Sequence, residues 1–314
     1  MIIRLGYVAI SNSIPNSTSS PYPLTKFKKE KDYQKLIKIT NSNLEALEET
    51  LIYNIKNQIH FYRISSNLIP LATAKEVNKN KIKSIELNNT LEKIGILIDA
   101  SKMRVDFHPN QYCVLNSTKK EVISSSIQIL KYHYKLLQKM KIKKKIIVLH
   151  IGSSTDGKIN SIKRFLNTFD QLPKYLQNTI AIENDDKVFN IEDCLYLSRQ
   201  RNIPIVLDYH HHNCNPTTKN LDIYLNEIFS TWKRKKLPPK IHFSSPKNKK
   251  DYRAHNEYID SNQFIKFLNK IKKFPYNIDI MLEAKAKDDA LFRLIRELKY
   301  KEKFYFLDET TIKI

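Results

Sequence analysis

The sequence predicts an α/β fold, a single-domain (β/α)8 TIM barrel, and three observations carry that expectation. Short runs rich in β-branched and apolar residues recur eight times, each followed by a longer stretch with helical periodicity. The alternation extends over roughly 290 residues, the size of an eight-unit parallel barrel. Six of the runs carry a side chain of metal-ligand type at or near their end, and barrels of this kind keep their chemistry at the C-terminal ends of their strands.

The first strand is IIRLGYV (2–8). The segment Ser11–Ser20, rich in Ser, Asn and Pro, breaks it and forms a loop on the active face. Leu36, Ile37, Leu44, Leu47, Leu51 and Ile55 then mark the apolar stripe of a long helix. The second strand, IHFYRI (59–64), leads to a helix carrying Ile85, Leu87 and Leu91, which Gly95 is placed to close. Strands three to eight are MRVDFH (103–108), KIIVLH (145–150), TIAIEN (179–184), IPIVLD (203–208), PKIHFS (239–244) and NIDIMLE (277–283). No Pro-, Gly- or Ser-rich linker divides the chain, so residues 1–297 are expected to form the barrel and 298–314 a basic C-terminal extension.

The chain carries 54 Lys+Arg against 32 Asp+Glu, a net charge of +22, which suits a polyanionic partner. Basic clusters at Lys26–Lys35, Lys139–Lys145, Lys233–Lys240, Lys247–Arg253 and Lys270–Lys273, with interspersed Tyr, Phe and His, fit phosphate tracking combined with base stacking. Only 4 glycines among 314 residues, with abundant Lys, Asn and Ile, also point to a compositional bias that raises lysine everywhere, so charge alone does not name the partner. The 3 cysteines, Cys113, Cys194 and Cys214, show no paired spacing and are expected as free thiols in a reducing compartment. No apolar run approaches the roughly 18 residues that span a bilayer, and no charged-then-apolar export signal precedes the first strand. The expectation is a cytoplasmic, nucleoid-associated protein without a membrane partner.

His108, His150, Glu183, Asp208, His242 and Glu283 stand at strand ends, and His211 and His255 lie in loops nearby. Histidine nitrogens and carboxylate oxygens without Cys suit Mn²⁺, Zn²⁺ or Fe²⁺. One ion takes about four protein ligands. This set exceeds that and suggests two or three ions, the arrangement that catalyses displacement at phosphorus. The run Asp208-Tyr209-His210-His211-His212 leaves open which histidine joins the set. His133, in a helix, and His60, at the start of strand two, are expected to be uninvolved.

RLGY (4–7), RISSNLIPLAT (63–73), FHPNQY (107–112), VLHIGS (148–153), IENDDK (182–187), LDYHHHNCNP (207–216), KIHFSSPK (240–247), AH (254–255) and MLEAKAKD (281–288), in this order, resemble the UV damage endonucleases. Those are (β/α)8 proteins related in architecture to endonuclease IV, with a cluster of three metal ions, typically Mn²⁺. They nick double-stranded DNA immediately 5′ of cyclobutane dimers, 6-4 photoproducts and some other distorting lesions. The resemblance implies metal ligation by His108, His150, Glu183, Asp208, His211, His242, His255 and Glu283, which settles the triple-histidine run on its middle member. Glu183, Glu283, Lys240 and His255 are the catalytic candidates. Lys240 matches a lysine that is modified, as a carboxylated side chain, in a relative. Gln111 and Tyr112 match a pair that probes the duplex at the lesion, and Tyr7 matches an aromatic lining the damage pocket. Physically, a crosslinked dinucleotide costs less to extrude than a normal pair, and an aromatic wedge beside an amide can fill the gap.

Two positions depart from the pattern. Asn67 stands where some relatives have a ligand-type His, and Asn binds a transition metal poorly. Ser11, with Asn12 adjacent, stands where one relative has a pocket Asn. Three other activities share features of this chain. An abasic-site endonuclease of the endonuclease IV type would use a similar cluster. A metal-dependent sugar isomerase would use a similar barrel without the excess charge, and a damage-binding protein would bind without incision. The chain is expected to act as a monomer.

Overall fold

In the computed structural model, eight parallel strands close edge to edge in the order β2-β3-β4-β5-β6-β7-β8-β1, with β1 pairing back to β2. Residues 1–82, 85–301 and 304–314 are described. The elements run β1 (Ile2–Ala9), α1 (Leu24–Glu30), α2 (Tyr33–Lys56), β2 (Phe61–Ile64), α3 (Ile85–Ser101), β3 (Arg104–Phe107), α4 (Lys120–Lys139), β4 (Ile147–His150), α5 (Lys158–Gln171), α6 (Lys174–Gln177), β5 (Ile180–Glu183), α7 (Ile191–Arg201), β6 (Ile205–Asp208), α8 (Tyr209–Cys214), α9 (Asp222–Ser230), β7 (Lys240–Phe243), α10 (Ser261–Ile271), β8 (Ile278–Leu282), α11 (Lys287–Lys301), β9 (Tyr305–Phe306) and β10 (Thr311–Lys313). This is the single-domain (β/α)8 barrel that the alternation predicts.

Local chemistry explains the boundaries. The Asp32 side chain accepts the Lys35 amide at 2.9 Å and starts α2, while Asn190 and Asp193 form a reciprocal cap at the start of α7. Leu36, Leu44, Leu47 and Leu51 are buried along α2 as expected, but Ile37 is half-buried and Ile55 is exposed, so the stripe is narrower than its apolar residues suggest. Leu87 and Leu91 are buried in α3, and the side chain of Ile85 lies outside the described set. Gly95 does not close that helix. It sits inside α3, where a Cβ would collide with the Met140 carbonyl oxygen, so glycine there allows close helix approach.

Residue 298 falls within α11. Beyond it, β10 lies antiparallel to Ile2–Arg4 of β1 and carries β9 on its other edge. The second half of β1 pairs with β2 instead, in the register Tyr7↔Tyr62. Thr311–Lys313 therefore cover the edge of the lower half of β1.

Strand alternation divides the side chains into two sets. Ile3, Leu5, Tyr7, Val105, Ile147, Ile182, Leu207, Ile241 and Ile280 join the main core between barrel and helices. The inward set is only partly apolar, with Val8, Phe61 and Met281 in one small cluster and Ile146, Val148, Ala181, Val206 and Trp232 in another. The rest is a charged column. At the floor, Arg4 Nε and Arg104 Nη1 reach the two oxygens of Asp279 at 2.6 and 2.7 Å. The Arg104 guanidinium lies between the rings of Phe61 and Trp232. At mid-height Lys240 Nζ donates to Asp106 Oδ2 at 2.6 Å, with both side chains fully buried. Above them the column opens into the mouth of the barrel.

Candidate metal centre

Glu183, the last residue of β5, is buried at the centre of the mouth, and its two oxygens face different partners. Oε2 is 2.7 Å from His108 Nε2 and 4.0 Å from His150 Nε2. Oε1 is 2.8 Å from His242 Nδ1 and 3.6 Å from His211 Nδ1. Asp208 Oδ2 lies 3.6 Å from His211 Nδ1, and Glu283 contacts His242 Nδ1 at 3.2 Å through Oε1 and His255 Nδ1 at 4.0 Å through Oε2. All eight expected ligands are thus brought together. Within them, His108, His150 and Glu183 form one group, and Glu183, Asp208, His242 and Glu283 a second, each with donor atoms within 4.8 Å of one another. Glu183 belongs to both groups.

The scaffold orients these side chains through backbone contacts. Asn184 and Asp208 exchange two hydrogen bonds at 2.9 Å and lock the ends of β5 and β6. His211 is fixed by its amide, which donates to Asp208 Oδ1 at 2.7 Å, and by Nδ1 against the Asn184 carbonyl at 3.0 Å. That turn directs the middle histidine inward, while His210 faces the Arg253 carbonyl and His212 stacks beside Tyr209. His108 Nδ1 contacts the Pro109 carbonyl, which leaves Nε2 for the centre.

Burial and mutual charge shift the proton affinities of these groups in opposite directions. Burial pushes the Asp208 carboxyl up to about 8, helped by Glu183 and Glu283 and opposed by His211. Burial works against charge on His211, yet Asp208, Glu183 and Glu283 outweigh it and raise that imidazole to about 9. Burial holds His242 down to about 4. Asp208 Oδ2 and His150 Nδ1 are buried without hydrogen-bond partners, an arrangement that costs stability unless a further group satisfies it. Oxygen and nitrogen donors of this kind fit divalent Mn, Zn or Fe.

Other expected residues fall in different places. Gln111 and Tyr112 stand on the turn after β3, with Tyr112 72% exposed, at the rim of a cavity of about 410 Å³ lined by Gln111, His150, Asp185 and His211. Tyr7 does not reach the mouth. Alternation turns it toward the helices, where it is fully buried and its hydroxyl donates to Asn54 Oδ1 at 2.8 Å. Ser11 and Asn12 are held by Asp288 at the start of α11, through the Ser11 hydroxyl at 2.8 Å and the Asn12 amide at 2.7 Å. Asn67 is exposed and lines a separate cavity of about 240 Å³ with Ser66, Asn110 and His133. His133 packs on Phe107, and His60 pairs with Asp308 at the floor.

The basic clusters divide between faces. Lys26–Lys35 and Lys247–Arg253 follow strands and lie on the mouth side, whereas Lys139–Lys145, Lys233–Lys240 and Lys270–Lys273 precede strands and lie toward the floor. Charge near the candidate site is therefore only part of the total. Sequence reasoning also missed Arg63 on β2, whose Nη2 is 2.6 Å from Glu283 Oε1 and 2.7 Å from His242 Nε2. Its position two residues after inward-facing Phe61 was the available signal.

The comparisons agree with this geometry. The UV DNA damage endonuclease of Bacillus cereus (strain G9842) is 40% identical over 304 residues, covering 95% of each chain. The crystal structure of SacUVDE superposes with a TM-score of 0.86 at 35% identity, covering 95% of this chain and 98% of that one. Endonuclease IV from Thermus thermophilus shares the fold, with a TM-score of 0.56 at 12% identity over 95% of this chain and all of its own. With the profile described as UV-endonuclease UvdE matching residues 3–312 as well, the chain belongs to that family.

Proposed function

We propose that this protein is a metal-dependent DNA repair endonuclease that incises the backbone immediately 5′ of cyclobutane dimers, 6-4 photoproducts and some other distorting lesions. The observation that carries this reading is the gathering of seven histidine and carboxylate side chains about Glu183, beside an exposed Gln111–Tyr112 pair. Double-stranded DNA would bind across the mouth, with the protein acting as a monomer. Tyr112 would enter the space left by an extruded dinucleotide, and Gln111 would hydrogen-bond the orphaned bases. His108, His150, Glu183, Asp208, His211, His242, His255 and Glu283 would hold up to three divalent ions, Mn²⁺ foremost. When bound, such ions supply the Lewis acidity that phosphodiester hydrolysis needs, leaving 3′-OH and 5′-phosphate ends.

The chain's own groups would prepare that step. Glu183 and Glu283 would set the geometry of the donor set, and His255, partly exposed beside Glu283, would face the phosphate. Lys240 lies below, its ammonium pushed down to about 8 by burial against the pull of Asp106. Carboxylation would require Lys240 to give up its ion pair with Asp106, and intact-mass measurement with and without bicarbonate would detect it.

The test is incision of a 5′-labelled duplex carrying one cyclobutane dimer, beside undamaged and abasic duplexes, with Mn²⁺ and with EDTA. A Mn²⁺-dependent cut immediately 5′ of the dimer is expected. Cleavage of the abasic duplex alone would move the activity to the endonuclease IV type. Binding without any cut would leave a damage-binding protein, and aldose–ketose turnover would indicate a sugar isomerase.

A further inference from the structure

The turn that carries Gln111 and Tyr112 stands between two cavities. Asn110 lines both, and its Oδ1 accepts the Tyr112 amide at 3.1 Å. The larger, about 410 Å³, reaches His150 and His211. The smaller, about 240 Å³, touches none of the eight expected ligands and is bounded by the segments after β1 and β2 and by α4.

The walls of the smaller cavity are fixed in place. On α2, the fully buried Asn43 exchanges bonds with the Ser20 backbone at 2.9 and 3.1 Å and donates to the Leu68 carbonyl at 3.2 Å, so one amide holds two loops. On α4, the Tyr132 hydroxyl accepts the Ile69 amide at 3.1 Å. In a chain with 27% charged residues, none of the described lining residues is Lys, Arg, Asp or Glu, which argues against a phosphate as the occupant. Apolar surface from Ile69, Pro70 and Tyr132, beside the exposed amides of Asn67 and Asn110, suits a flat ring with a polar edge. The volume is below the roughly 300 Å³ at which pockets for drug-sized molecules begin, which leaves room for one base and not for a dinucleotide.

On the basis of the lesion-endonuclease reading, we infer that the smaller cavity receives a base of the intact strand, one of the two that lose their partners when the damaged dinucleotide is extruded. Entry of Tyr112 into the duplex displaces bases to either side of its turn. The damaged dinucleotide belongs on the side of His150 and His211, where the backbone is to be cut. A base received on the other side lies away from those donors and is spared. Holding it there opposes re-pairing, so the extruded state persists while the backbone is cut. Gln111 is left to bond the second orphaned base.

A double-mutant cycle in binding tests this, on a dimer duplex with an uncleavable methylphosphonate linkage 5′ of the dimer so that it stays whole with Mn²⁺ present. The wild type is compared with Ala72→Trp, which fills the cavity, on duplexes with both opposite bases and with either one replaced by a tetrahydrofuran linker. With the bases present, Ala72→Trp should bind about tenfold more weakly, and removal of one of them should make the two proteins bind alike. Equal weakening on every duplex, or none on any, would overturn the inference. A dependence that follows a base beside the dimer in the damaged strand would overturn it as well. A wild type without preference for the dimer duplex would overturn the lesion reading itself. Should Ala72→Trp fail to fold, Asn67→Ala, at an exposed position, passes through the same cycle. Its weakening should again vanish when the opposite base is removed, and weakening indifferent to that base, or absent, would refute the cavity's role.

Discussion

Glu183 places one oxygen toward His108 and the other toward His242, so its replacement disturbs both halves of the donor set at once. Glu183→Gln should lower incision at least about 100-fold, the upper end of what loss of a ligand's outer partner costs, and leave binding of the lesion duplex near wild type. Gel-shift and nicking assays on one preparation check this. Tyr112→Ala, by contrast, removes an exposed ring and should keep Mn²⁺ stoichiometry while preference for damaged over undamaged duplex collapses. Competition between the two duplexes is the measurement. His133 bears on stability instead. Burial lowers its imidazole from 6.5 to about 4, so the fold favours the neutral form. Its contribution is complete above pH 6.5 and is lost as the pH falls from there toward 4, at most about 3 kcal/mol. Thermal unfolding of His133→Gln in EDTA should show a shallower acid dependence than the wild type over that window.

The elements were legible to different depths. Each strand run ended within a residue or two of its observed end, because β-branched runs and following caps are local signals. The ligands were legible for the same reason, since a parallel barrel presents strand ends on one face. The burial of Tyr7 was not legible from its motif, which carries no account of the alternation that turns Arg4 inward and Tyr7 outward. Periodicity misreads Gly95 because the reason for that glycine lies at the end of α4, some 45 residues away. Arg63 escapes notice since a charge inside a barrel strand contradicts the apolar core expected there. Gly95→Ala should destabilise the protein by about 1–3 kcal/mol through overpacking against Met140. Urea unfolding would show it as a lower midpoint with an unchanged slope.

For the whole molecule, net charge and charge placement give separate consequences. With +22 overall, affinity for duplex DNA should fall roughly 10³-fold between 50 and 200 mM salt if about six phosphates are contacted. Fluorescence anisotropy across a salt series tests this. Neutralising Lys247, Lys249 and Lys250 on the mouth side should flatten the slope more than neutralising Lys143, Lys144 and Lys145 toward the floor. Equal flattening would mean that binding is not confined to the mouth.

The charged column running from Arg4 and Asp279 through Lys240 and Asp106 to Arg63 also bears on heat. Enclosing such pairs is costly near 25 °C, and apolar replacements of similar volume are often neutral or more stable by about 1–4 kcal/mol. The hydration that ions forfeit becomes less favourable on warming, while the gain from burying hydrocarbon levels off. A barrel with this interior is therefore least disadvantaged when hot, and an oily interior in its place would give up its advantage degree by degree as the temperature rises.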